Sequence, residues 1–395
     1  MEIRRIAILM LGAGTARLRA AQAIHQALHD GADNVEARTI DVLGGARPWF
    51  VRLYTLSRGS VARRAPAVWR RLSERQQRKQ HRQMAAEWIL RRGCRPVLSR
   101  LQAFRPHQVI VMDPVAAQLA ALGRCEGWFD ASILAAQTDF YTEPAWVKDE
   151  IDVHCAGSEA AKNQLISLGV SPNRILNCGI PVDAAFAASF DRTELRRALG
   201  LHPDRPVVLV MGGGADASHL DAMLRSLEMC RQPIQVLAVV GRERDVRARV
   251  GALRCQLALD LHVFGWSDYI PEMMGAADVL ITAPCGVTTS EALAAGLPMV
   301  LTPPSSWAEE QNFKFLVERR LALAVAGPRP VASVISGMLD VPKQLEELRD
   351  RAREAARPDA AYSVAQVARA LLEKETYIDL LAPPSQGFGE PAYLM

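Results

Sequence analysis

The sequence predicts an α/β protein built from two doubly wound, Rossmann-like domains that face each other across a cleft. Three observations predict it. Short apolar runs alternate with helical patterns twice along the 395 residues, a length that suits two domains. Each half opens with a strand that runs into a glycine-rich turn, Gly12-Ala13-Gly14-Thr15 in the first and Gly212-Gly213-Gly214 in the second. The pattern restarts after a seam near residues 181–204, which gives expected units of 1–185 and 186–375 and a tail of 376–395. Ligands of such sheets sit outside the carboxyl ends of the strands, so two facing sheets predict an interdomain site.

In the first half, Arg5 to Leu11 reads as a buried strand, and the glycine turn leads into a helix from about Ala16 to Leu28. The opening MEIRRIAILMLGAG carries two arginines and an apolar run, but the run is short and enters a turn and a helical pattern, so a first strand is the expectation and not a leader. Val35 to Val42 alternates as a second strand. Pro48 to Phe104 reads as mostly helical. His107 to Met112 and Ser132 to Gln137 are strands ending at Asp113-Pro114 and Thr138-Asp139. Val153 to Ala156 is another, followed by a helix capped by Ser158, and Arg174 to Cys178 closes the half.

The second half repeats the scheme with strands at Val207 to Met211, Gln235 to Val240, Leu261 to Phe264, Val279 to Thr282 and Met299 to Leu301. The stretch from Val279 to Pro304 is its organising unit. A buried strand is broken by Pro284 and Gly286. Thr288, Thr289 and Ser290 are expected to cap a helix with Glu291 in its first turn, and Gly296 stops it. A helix start presents free N–H groups and a positive dipole end, which suit phosphate, while a carboxylate beside it suits vicinal hydroxyls such as those of a ribose. Glu310 to Leu321, Gln344 to Ala356 and Ser363 to Glu375 are expected as helices.

Composition narrows the function classes. Hydrophobic content of 49% with 23% charged residues is that of a globular enzyme. No apolar run approaches the ~20 residues of a spanning helix. Seven scattered cysteines without a CxxC pair argue for reduced thiols and against a zinc cluster or a disulfide framework. The net charge of +4 hides an asymmetry. Between Arg47 and Arg105, sixteen basic residues face only Glu74 and Glu87, with Trp49, Phe50, Leu53, Tyr54, Val68 and Trp69 interleaved. That pattern points to an anionic membrane surface more than to nucleic acid, for which no fold signature is present.

The glycine turns lack GxGxxG spacing and the P-loop lysine, so neither a nicotinamide site nor a P-loop is expected. Asp139 and Asp113, each at a strand end, are candidate catalytic or acceptor-orienting carboxylates.

These pieces resemble the glycosyltransferases of the GT-B fold in family 28, in particular the monogalactosyldiacylglycerol synthases and processive diacylglycerol glucosyltransferases, and more distantly the lipid II N-acetylglucosaminyltransferase. The resemblance runs from about residue 4 to 325. Its most specific part is ITAPCGVTTSEALAAGLPMVL, similar to the family's ITKPGG-TTSEAL-GLP. It is supported by TDFYTEPAWVKDEIDVHCAGSEAAKNQLISLGV, NCGIPVDAAF, RPVVLVMGGG and VFGWSDYIPEMMGAADVLIT.

The resemblance implies an inverting transferase that moves a hexose from a UDP-sugar to a lipid hydroxyl, peripheral on the cytoplasmic face of the cell membrane. UDP-sugar is the donor substrate, with no further cofactor and no metal. Glu291 would take the ribose hydroxyls, and Gly286, Thr288 and Thr289 the diphosphate. Gly213 and Gly214 would line the same cleft, with Phe264-Gly265 by the uracil. Glu309, Glu310 and Asn312 would meet the donor sugar, while Gly14, Thr15 and Arg17 would lie on the acceptor side. The sequence departs from the family in three places. Its loop histidine is replaced at Ala16-Arg17, its Pro-Gly-Gln reads Ser306-Trp307-Ala308, and its Gly-Gly reads Cys285-Gly286. Arginine does not release its proton at neutral pH, so either Asp139 or Asp113 takes the acceptor proton, or the chain is a diverged, non-catalytic nucleotide-sugar-binding or regulatory protein. A UDP-sugar epimerase is the third reading.

Overall fold

The computed structural model describes residues 3–12, 15–30, 34–56, 80–212 and 217–373. Gly14, Gly213, Gly214, the side chain of Thr15, the middle of the basic segment at 57–79 and the tail at 376–395 lie outside the described residues.

The first half contains β1 (Arg4–Met10), α1 (Thr15–His29), β2 (Val35–Asp41), α2 (Val42–Gly45), α3 (Pro48–Leu56), α4 (Gln80–Gly93), α5 (Arg95–Phe104), β3 (Gln108–Val111), α6 (Pro114–Cys125), β4 (Ser132–Ala136), β5 (Val153–Ala156), α7 (Glu159–Ser167) and β6 (Ile175–Asn177). The second contains α8 (Arg192–Ala198), β7 (Val207–Met211), α9 (Ala217–Leu227), β8 (Gln235–Val239), α10 (Arg244–Leu253), β9 (Asp260–Phe264), α11 (Ile270–Ala276), β10 (Val279–Thr282), α12 (Gly286–Ala294), β11 (Met299–Leu301), α13 (Trp307–Glu318) and β12 (Ala322–Ala324). Then come α14 (Val331–Asp340), α15 (Pro342–Ala355) and α16 (Ala360–Glu373).

Two six-stranded sheets form, in the orders β2-β1-β3-β4-β5-β6 and β12-β11-β10-β7-β8-β9. Every pairing is parallel. Parallel strands covered on both faces are near-continuous apolar runs, and β3, β5 and β10 are fully buried along their length, Gln108, His154 and Thr282 included. Strand order reverses between β1 and β3 in the first sheet and between β7 and β10 in the second. These are the topological switch points, where the loops part and leave a crevice.

The structure has elements the sequence reading did not expect. Asp113-Pro114 follows the end of β3 as the sequence predicts, and it also starts α6. Asp113 accepts a hydrogen bond from the Val115 N–H at 2.9 Å and Pro114 occupies the first helical position, where its missing N–H costs nothing. α10, α14 and β12 were likewise not expected. The helix after β10 begins at Gly286, not at the Thr288-Thr289-Ser290 run. Thr289 Oγ1 bonds back to the carbonyls of Cys285 and Gly286, at 2.8 and 3.1 Å, so that hydroxyl serves the first turn from inside. Glu291 therefore sits in the second turn.

The last helix crosses back to the first sheet. α16 buries Val364, Ala365, Val367 and Ala368 in the cluster that also holds Ile24 and Leu28 of α1. The Gln108 amide donates to the Ala368 carbonyl at 3.1 Å, and Arg369 donates to the carbonyl of Ala27 at 2.7 Å. The 186–375 segment thus ends by packing on the opposite domain.

Candidate functional site

The carboxyl ends of the two sheets converge. From the first sheet come Gly12 after β1, Asp113 after β3 and the turn Gln137 to Phe140 after β4; from the second come Cys285-Gly286 after β10 and Thr302 to Ser306 after β11. They meet at Gly286. A Cβ there would lie 2.2 Å from the Thr138 carbonyl oxygen and 2.9 Å from the Asp139 Cα. On the other side of the same turn, a Cβ on Gly157 would lie 2.4 Å from the Asp139 carbonyl oxygen. The Thr138-Asp139 turn is held between two positions where only glycine fits.

Asn312 locks that turn across the cleft. Its Nδ2 donates to Asp139 Oδ1 at 2.7 Å, and its Oδ1 accepts from the Phe140 N–H at 3.0 Å. The amide is fully enclosed. The ring of Phe140 stacks on Phe315 at 4.5 Å, and Tyr141 meets Trp307 edge-on at 4.8 Å. Asn312, Phe315 and Trp307 all lie on α13, which Ser306 caps.

The two glutamates beside Asn312 face elsewhere. Glu309 turns back to accept from the N–H and hydroxyl of Ser305, at 2.6 and 2.8 Å. Glu310 pairs with Lys314 one turn along the helix at 3.0 Å. Of the three residues expected near a donor sugar, only Asn312 reaches the facing domain in this arrangement.

Two arginines of α1 enter the cleft. Arg17 Nη1 lies 3.1 Å from Asp113 Oδ2, so both oxygens of Asp113 are engaged, one by the α6 cap and one by the guanidinium. Burial works against the Arg17 charge, but Asp113 and Asp139 outweigh it and hold the guanidinium above its ordinary range. Arg19 donates from Nε to Glu291 Oε1 at 2.6 Å and from Nη2 to Oε2 at 2.5 Å. Burial again opposes the Arg19 charge, and the field and hydrogen bond of Glu291 more than offset it and raise the guanidinium, while burial also pushes the Glu291 carboxyl above its ordinary value against the pull of Arg19. Beside them the Cys285 thiol is pushed up by burial, with Asp139 adding to the effect against the Thr288 N–H.

Phe264 is half-buried at the end of β9, and Gly265 follows it. The next residue, Trp266, has a guanidinium on its ring from each of two residues, Arg242 at 4.6 Å and Arg19 at 5.9 Å. Thr288 and Thr289 are buried in the first turn of α12. The expected site residues thus gather at Arg17, Asp113, Asp139, Gly286, Glu291 and Asn312. Sequence reasoning missed Arg19, Trp266 and Arg242. Trp266 adjoins the Phe264-Gly265 motif and was within reach; Arg19 was not, because its partner is 272 residues away. Among the described residues no group of three or more His, Cys, Asp or Glu side chains is arranged to hold a metal ion.

Comparison with known proteins agrees with this geometry. Residues 18–182 match the Monogalactosyldiacylglycerol (MGDG) synthase family and residues 191–356 match Glycosyl transferases group 1. The chain is 27% identical over 213 residues to a processive diacylglycerol beta-glucosyltransferase of Bacillus licheniformis, a match covering 54% of this chain and 55% of that protein. It is 24% identical over 394 residues to the chloroplastic monogalactosyldiacylglycerol synthase of Spinacia oleracea, covering 95% of this chain and 74% of that one. The chain therefore spans about half the length of the first relative and about three quarters of the second. MurG of Acinetobacter baumannii superposes with a TM-score of 0.57 at 14% identity, over 92% of this chain and 99% of MurG, which shows a shared fold. With two facing parallel sheets and a match in each half, the chain has the GT-B fold and is similar to the monogalactosyldiacylglycerol synthases and processive diacylglycerol glucosyltransferases.

Proposed function

We propose that the chain is an inverting glycosyltransferase that moves a hexose from a UDP-sugar to the hydroxyl of a diacylglycerol-like lipid at a membrane surface. One observation carries the reading. The loop after β10, at the switch point of the second sheet, closes on the turn after β4 of the first, Gly286 against Thr138, with the carboxylates of Glu291 and Asp139 contributed from opposite domains. In this reading Glu291 takes the ribose hydroxyls, and Phe264-Gly265 lies by the uracil. The backbone around Gly286, Thr288 and Thr289 holds the diphosphate. Asp139 is the base that takes the acceptor proton as the oxygen attacks the anomeric carbon, since Asp113 is engaged at both oxygens. UDP leaves toward the start of α12, whose dipole favours the departing charge. Asn312 positions Asp139, and Arg17 lies on the acceptor side.

The membrane part rests on an exposed face. Trp49 (40% exposed), Leu53 and Leu56 on α3, with Trp88 (50% exposed) on α4, project among Arg47, Arg52, Arg91 and Arg92. Arg92 covers the Trp88 ring at 5.4 Å. Amphipathic rings flanked by cations suit the headgroup layer of an anionic bilayer. No described helix is long and apolar enough to cross a membrane. The exposed cationic and aromatic face supports peripheral attachment, which the family resemblance puts on the cytoplasmic side.

Release of UDP from UDP-glucose or UDP-galactose, with and without diacylglycerol in mixed micelles, tests the reading. Acceptor-dependent release lost in Glu291→Gln and in Asp139→Asn supports it. The ion pair of Arg17 with Asp113, at the position of the family's histidine, favours a second reading, a non-catalytic nucleotide-sugar-binding protein. UDP binding without turnover, and turnover gained in Arg17→His, would select that reading instead.

A further inference from the structure

Glu291 is the proposed ribose ligand, yet both of its oxygens are held by a residue of the other domain. Arg19 Nε and Nη2 reach them at 2.6 and 2.5 Å. A ribose diol presents two O–H donors to one carboxylate and would need those same two oxygens. The guanidinium and the ribose therefore compete for Glu291.

The pair is also buried. The Glu291 side chain is 1% exposed and that of Arg19 is 13% exposed. A guanidinium released from its carboxylate in that place does not return to bulk water, and a buried charge without a partner is strongly unfavourable. Whatever displaces Arg19 must supply another anion.

Two features say where that anion lies. Arg19 belongs to α1, which packs on α12, the helix that opens at Gly286. Glu291 is five residues beyond Gly286 on the same helix, about 7.5 Å along the axis. The ring of Trp266 lies 5.9 Å from the guanidinium and offers it a face in the same corner of the cleft. The released side chain is thus retained between the Trp266 ring and the anion-attracting start of α12.

We infer that Arg19 is a diphosphate ligand supplied by the opposite domain, exchanging Glu291 for the donor's diphosphate as the ribose takes the carboxylate. This rests on the donor-site reading above. A nucleoside diphosphate brings both halves of the exchange in one molecule, the diol for Glu291 and the anion for Arg19. A nucleoside brings only the first half. The exchange makes recognition of the diol conditional on the diphosphate, and it ties the acceptor domain to the leaving group.

Isothermal titration calorimetry with uridine and UDP separates the two halves. In the wild-type chain UDP binds far more tightly than uridine. In Arg19→Gln, uridine binds at least threefold more tightly because Glu291 is free, and the advantage of UDP over uridine shrinks at least tenfold. Arg19→Lys keeps the charge and loses the fork, so uridine binding improves while the UDP advantage stays within threefold of wild type; this variant carries the test if Arg19→Gln does not fold. An unchanged UDP-to-uridine ratio in Arg19→Gln, or a ratio in Arg19→Lys that collapses, overturns the exchange and leaves the donor-site reading standing. Wild-type protein that binds neither UDP nor a UDP-sugar overturns both.

Discussion

The Asn312 amide donates to Asp139 Oδ1 at 2.7 Å across the cleft, and with the same group's oxygen it accepts the Phe140 N–H. One side chain of the second domain thereby sets the position of the proposed base in the first. Asn312→Ala removes a charge-assisted hydrogen bond and strands a buried N–H, which costs about 2–4 kcal/mol of stability. Asp139→Asn keeps the size of the side chain and removes the base, so acceptor-dependent turnover should fall at least ~100-fold while UDP affinity is unchanged. Urea denaturation and steady-state kinetics check the two outcomes. Turnover within tenfold of wild type in Asp139→Asn would reject Asp139 as the base.

Gly286 and Gly337 make a matched pair of alanine substitutions. At Gly286 the added methyl would meet backbone, the Thr138 carbonyl at 2.2 Å, which has no rotamer with which to retreat. Gly286→Ala should destabilise by roughly 1–3 kcal/mol through overpacking and force the domains apart. At Gly337, inside α14, nothing lies within 4 Å, so Gly337→Ala should stabilise by about 0.5–1 kcal/mol through the lower entropy of the unfolded chain. Thermal unfolding of both variants measures the contrast, and small-angle scattering measures the opening in the first.

His154 gives the protein an acid-sensitive point. It is buried in β5, and neither ring nitrogen has a hydrogen-bond partner among the described residues. Burial first, and the charge of Arg174 second, lower its pKa from 6.5 to about 4. The folded state then refuses a proton that the unfolded chain accepts between those two values. Stability is complete above pH 6.5, declines as the pH falls toward 4, and loses about 3 kcal/mol over that window. His154→Leu should flatten the decline. Denaturation midpoints at pH 7 and pH 4.5 provide the comparison, and an equal fall in both proteins would place the acid sensitivity elsewhere.

The exposed face of α3 and α4 should govern membrane attachment without governing the fold. Trp49→Ser, Leu56→Ser and Trp88→Ser together remove apolar side chains that already face solvent, so the melting temperature should hold within a degree or two. Flotation with anionic vesicles should drop several-fold. Equal recovery of wild type on neutral and anionic vesicles at low salt would count against the attachment mode.

Much of this architecture was legible in the chain itself. A parallel strand covered on both faces is a short and mostly apolar run, so Val153 to Ala156, Val207 to Met211 and Val279 to Thr282 announced their strands by composition despite His154 and Thr282, and the strands fall at those bounds. A local capping rule also found the start of α7 at Ser158. Such rules failed where a residue had two local readings. Pro114 ends a strand and begins a helix, and the Thr288-Thr289-Ser290 run resembles a cap while lying inside the helix.

What the sequence determined by itself was the two doubly wound sheets, because strand and helix periodicities are local and are repeated in each half. It also named Asp139, Asn312 and Glu291 as separate candidates. The tertiary structure decided what those groups touch. Asn312 meets Asp139 over a separation of 173 residues, Arg19 meets Glu291 over 272, and α16 returns to the first sheet. Those contacts join rigid bodies, so they depend on how two finished domains dock, and the spacing of residues along one chain carries no record of that.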